Sequence, residues 1–110
     1  METYDLAELV ITQDSQTWPL EFSRAKLMIV SEYGTRLWYI DVDGITDEGL
    51  LGRFAESEEI GVGMSAITIG GRRLEGKGFF HPNPQHRAAA IRGDGQLEGY
   101  GQSGSHALKE

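Results

Sequence analysis

The sequence contains no cysteine. Disulfides, thiolate metal centres and cysteine nucleophiles are thereby excluded. Proline is scarce, at 3 of 110 residues, so few strands or helices are interrupted by it. Long apolar runs are missing as well. None exceeds four residues, as in Leu27-Met28-Ile29-Val30, which falls far short of the ~20 residues of a membrane helix. Positive charge is in short supply: 10 Lys and Arg face 17 Asp and Glu, a net charge of −7. Such a chain lacks the basic footprint of a general nucleic-acid binder, and neither nucleic acid nor membrane is expected as a partner. No basic stretch followed by an apolar one stands at the N-terminus. No secretory signal is therefore expected, and the default compartment is the cytoplasm.

Glycine is abundant instead, at 15 residues. Only Gly34 precedes Asp43; the rest lie between Gly44 and Gly104. The first third reads as continuous strands and the remainder as short strands broken by tight turns. Hydrophobic content of 39% and charged content of 25% are those of a globular chain. Its length suits one domain, expected over residues 1–102, with a polar tail over 103–110.

The first strand is expected over residues 4–12, although neither of its faces alternates cleanly. A break follows at Asp14-Ser15-Gln16, and Pro19 keeps any strand there from being central. Residues 26–32 and 35–42 flank Tyr33-Gly34, a hairpin signal. Between residues 45 and 59 lies the only candidate helix, with Thr46 as N-cap, Asp47 and Glu48 in the first turn, and Leu50, Leu51, Phe54 and Ala55 on one stripe. Gly70-Gly71 predicts a two-residue turn that sets Ile69 against Arg72 and Ile67 against Leu74. A last hairpin is expected around residues 93–95, with Ile91 against Leu97. Turn signals about every ten residues and little helix imply an all-β domain: an antiparallel sandwich or small barrel of six to seven strands with at most one short helix. The expected core is Leu27, Ile29, Trp38, Ile40, Val62, Ile67, Leu74, Phe79, Ile91 and Leu97.

Catalytic motifs are hard to find. Asp41-Val42-Asp43-Gly44 resembles the start of a calcium loop, but an EF-hand needs Gly at position six and Glu at position twelve; here they are Thr46 and Gly52. His81 and His86 could share a metal ion, yet zinc needs a third ligand and none lies nearby in sequence. The plainer reading of both segments is a capped turn and a pair of exposed histidines. No nucleophile elbow or phosphate-binding loop occurs. Neither a metal nor a cofactor is expected, and no catalytic residue is assigned.

Charge is more informative. Residues 41–59 carry seven acids, among them Asp43, Asp47, Glu48, Glu58 and Glu59, against Arg53 alone, a net of −6. Residues 60–95 carry Arg72, Arg73, Lys77, Arg87 and Arg92 against two acids, a net of +3. The expectation is a non-enzymatic β module that works through protein–protein contacts, either with itself or as an assembly or adaptor part. Small β proteins of phage tails and other mobile elements are modules of this kind. Its interaction surface is expected at Asp43, Asp47, Glu48, Glu58, Glu59, Arg72, Arg73 and Lys77. One alternative is a small-molecule-binding barrel with its mouth at Trp38, Tyr39, His81, Asn83, His86 and Arg87. Another is a metal-assisted enzyme built on His81 and His86.

Overall fold

A computed structural model describes residues 1–100. The strands are β1 (Glu2–Gln13), β2 (Gln16–Pro19), β3 (Arg24–Glu32), β4 (Thr35–Asp43), β5 (Gly61–Thr68), β6 (Arg73–Asn83) and β7 (Ala88–Gly93). The helix α1 (Glu48–Glu56) joins β4 to β5, and a 3₁₀ turn (Pro84–His86) joins β6 to β7. The sheet order is β2-β1-β3-β4-β7-β6-β5, and a β1–β5 pairing closes it. Six antiparallel strands therefore form a closed barrel with β2 outside it, which is the expected all-β class. Among the described residues no helix is long and apolar enough to cross a membrane. The tail expected over 103–110 lies outside the described residues.

Alternation fills the barrel. On β4, Trp38, Ile40 and Val42 turn inward, while Arg36, Tyr39, Asp41 and Asp43 are exposed. Leu27 and Ile29 face them from β3, and Ile91 from β7. β1 looked irregular in sequence for a physical reason: its register with β5 shifts between Leu6 and Glu8. One extra residue in a strand reverses the parity of everything after it. Leu6 and then Leu9 and Ile11 can thus all be buried.

One end of the barrel is plugged. The side chain of Asp47 accepts a hydrogen bond from the Leu50 N–H at 2.9 Å, so Asp47 and not Thr46 caps α1. The helix buries Leu50, Leu51 and Phe54. Phe54 packs against Phe80 and edge-on against Trp18 of β2. β2 thereby seals the side of the helix, and Pro19 sits on an outer strand as the sequence requires.

The β5–β6 hairpin differs from expectation by one residue. Ala66 faces Leu74 and Ile67 faces Arg73. Thr68 N–H donates to Arg72 O, and Arg72 N–H to the Thr68 hydroxyl, closing a three-residue loop at 69–71. The favoured two-residue hairpin turns need positive φ at their first position; here Gly70 lacks it and Gly71 has it, at +97°. The shift turns Phe80 inward and leaves Phe79 and Ile67 half-buried on the outside. The other eight expected core residues are buried.

The last expected hairpin is absent. β7 pairs with β4 and β6. Beyond it the chain crosses to β6, where Glu98 and Glu75 exchange backbone hydrogen bonds. Leu97 is buried by this crossing rather than by Ile91 across a turn.

Candidate functional site

The two ends of the barrel differ. At the plugged end stand the starts of β3 and β5, the ends of β1, β4 and β6, and α1. Asp14, Glu21, Asp43, Asp47, Glu48, Glu56, Glu58 and Glu59 gather there against Arg24, Arg53 and Arg87. Five residues of the expected interaction surface are thus at one end. The basic residues are not assembled opposite them. Arg87 joins the acidic end, where its guanidinium lies 2.7 Å from the Glu48 carboxylate, both side chains well exposed. Arg53 lies over the Trp18 ring and Arg92 over Phe79. Lys77 lines a groove with Asp14, Glu59 and Asp94. Of the basic residues expected at the interaction surface, Arg72 and Arg73, beside the β5–β6 loop, stand at the far end, where Arg36 of β4 also lies.

The expected ligand mouth is also divided. Trp38 is 2% exposed. It sits at the far end, beneath residues 93–97, with its indole Nε1–H donating to Gly95 O at 3.1 Å. Tyr39 is partly exposed on the outer face. His81 and Asn83 lie toward the plugged end, paired with Ala90 and Ala88. His86 and Arg87 follow in the 3₁₀ connection, and Arg87 O accepts from Ile45 N–H. Trp38 and the 81–87 segment are therefore at opposite ends of the strands. Among the described residues no three His, Asp or Glu side chains come together to hold a metal ion. The barrel interior is occupied by Leu9, Ile11, Leu27, Ile40, Leu74, Phe80 and Ile91, all fully buried.

A cleft of about 670 Å³ opens at the far end, between the β3–β4 hairpin and residues 93–100. Ile29, Leu37, Trp38 and Leu97 supply its apolar lining; Ser31, Thr35, Gln96 and Tyr100 are polar or amphipathic, and Arg36 is charged. The Arg36 guanidinium lies over the Tyr100 ring. Tyr4 and Tyr100 both donate hydrogen bonds to the Glu2 carboxylate. Those bonds favour the ionised acid, so the Glu2 carboxyl is held below its ordinary value and both phenols are raised above theirs. Of this cleft, the sequence marked Trp38 as a site residue and Ile29 and Leu97 as core. Arg36 and Tyr100 are 64 residues apart, and no local pattern marks residues as neighbours across such a gap. No family model, curated protein or solved structure matches this chain.

Proposed function

We propose that the protein is a non-enzymatic β module acting through protein–protein contacts, as a self-associating or assembly component. The supporting observation is the charge of the plugged end, where eight carboxylates surround three arginines on a helix and its flanking loops. An anionic surface of this kind attracts a basic partner surface and repels its own kind. Among the described residues, the opposite end carries Arg36 and the adjacent pair Arg72 and Arg73. Contact between the acidic end of one copy and that pair in the next is head-to-tail, which leads to rings or filaments.

Light scattering on the purified chain, at low and at high salt, tests the reading. Assembly at low salt should dissolve at high salt, because exposed charges are screened over about 10 Å at 0.1 M. Changing Arg72 and Arg73 to Glu should abolish it while the monomer stays folded. A monomer at millimolar concentration and low salt would overturn self-association. A filled interior gives less support to the small-molecule barrel, and the separation of Trp38 from the 81–87 segment removes the mouth assumed for it.

A further inference from the structure

Closing a barrel removes the free strand edges on which chains aggregate or recruit partners. Some stretches of edge escape closure even so. One is the outer side of β2. Leu20 N–H donates to Leu9 O, so by the alternation of an antiparallel ladder Ile11 and Trp18 exchange bonds, and Thr17 and Pro19 point outward. Proline has no N–H to offer, which leaves that edge a poor template.

A second edge is open and has no such guard. The β4–β7 ladder stops at Tyr39 and Arg92, but β3 and β4 stay paired to Glu32 and Thr35. The hairpin thus runs past its neighbour. Its turn, Tyr33-Gly34, has positive φ at both residues. In such a two-residue loop the closing pair, Glu32 and Thr35, exchanges hydrogen bonds. Alternation then points the N–H and C=O of Arg36 away from β3, toward the cleft. Among the described residues no backbone group outside the strands pairs with them.

We infer that this cleft takes up an extended acidic peptide from a partner protein, which adds as a strand to β4 at Arg36 and continues the sheet where β7 leaves off. This rests on the protein–protein reading above and names a partner for it. Strand addition takes its affinity from main-chain bonds and its specificity from side-chain contacts; the outward groups of Arg36 offer the first and the cleft the second. Leu97, Trp38 and Tyr100 line the inner side. Among the described residues Arg36 is the one charged residue lining the cleft; the Glu2 carboxylate held by Tyr100 also acts on it, and a carboxylate on the incoming strand is a second complementary charge. A second copy docking through the same edge fits worse. A two-fold pairing of β4 with β4 would set Arg36 against Arg36, and like charges directly opposite are destabilising.

Selection from a random eight-residue peptide display library against the full chain tests the inference. Enriched peptides should alternate apolar residues around an Asp or Glu, and synthetic labelled copies should bind by fluorescence anisotropy. Arg36→Pro removes the outward N–H without touching the β3 ladder, and should weaken binding about tenfold or more. Arg36→Glu keeps the N–H and should switch the selected charge from acidic to basic. Circular dichroism and melting confirm that both variants fold. No enrichment, or peptides whose binding ignores both substitutions, would overturn the proposal. So would selected peptides that match residues 101–110 or another stretch of this chain, which would make the occupant its own. The outcomes separate from those of light scattering: a monomer that selects acidic peptides overturns only self-association, and an assembling chain that selects none overturns only this inference.

Discussion

The indole of Trp38 lies against the backbone of Gly93, so close that a Cβ placed on Gly93 would stand 2.3 Å from the ring. The pair closes the far end of the barrel, with the Nε1–H of Trp38 tied to Gly95 O. Gly93→Ala should destabilise the fold by about 1–3 kcal/mol, as overpacking does. Trp38→Ala should cost about 3–5 kcal/mol. The three atoms nearest the added methyl all belong to the ring, so Gly93→Ala should cost far less in the Trp38→Ala background. Urea unfolding of the four proteins in this cycle measures that coupling. Additive costs would mean the ring does not rest there.

Neighbouring phenylalanines should behave differently. Phe80 is fully buried between Phe54 and the barrel core, and Phe80→Ala should cost about 3–5 kcal/mol. Phe79 is half-buried on the outer face beneath Arg92, and its replacement should cost less than half as much. Equal losses in chemical denaturation would argue for the hairpin register with one residue fewer in the loop.

The cap of α1 can be located by two substitutions. Asp47→Ala removes the acceptor for Leu50 N–H and should cost about 1 kcal/mol. The Thr46 side chain makes one exposed hydroxyl bond, to Glu21, so Thr46→Ala should have a much smaller effect on the melting temperature. The reverse order would restore Thr46 as the cap.

The Glu2 carboxyl, held low by the Tyr4 and Tyr100 hydroxyls, links stability to acid. Its folded value lies below its unfolded one. The stabilisation is therefore complete above the unfolded carboxylate value and is lost as pH falls through the folded one. Tyr4 and Tyr100 are raised above 10.0, so their contribution is complete below that pH and lost as pH rises through the folded values. Glu2→Gln should flatten the acid limb of stability against pH and return both phenols toward 10.0 in an ultraviolet titration. Unchanged phenol titration in that variant would exclude the shared hydrogen bonds.

Much of the fold was legible because its determinants are local. The inward residues of β3 and β4 follow from side chains that alternate with period two, and the Tyr33-Gly34 hairpin from a turn chemistry carried by two adjacent residues. The apolar stripe of α1 was readable from its helical spacing, although Gly49 and Gly52 within it argued against a helix. Where neighbouring signals compete, local reading failed. Thr46 and Asp47 are both good caps, and the choice depends on where the chain leaves β4. Gly70 and Gly71 can both turn, and the loop length follows from the buried Thr68 hydroxyl that accepts the Arg72 N–H.

An acidic, cysteine-free β domain, most of its strands and the faces they bury can be read from the residues alone, because composition, alternation and turn residues act over a few positions. The parity change in β1, the crossing of Leu97 and Glu98 to β6, the division of the charges between the barrel ends, and the cleft that brings Arg36 to Tyr100 come instead from the folded arrangement. Each of these depends on which strand lies beside which. Strand pairing is set by closing the whole ring of six, a condition that no short stretch of residues can express.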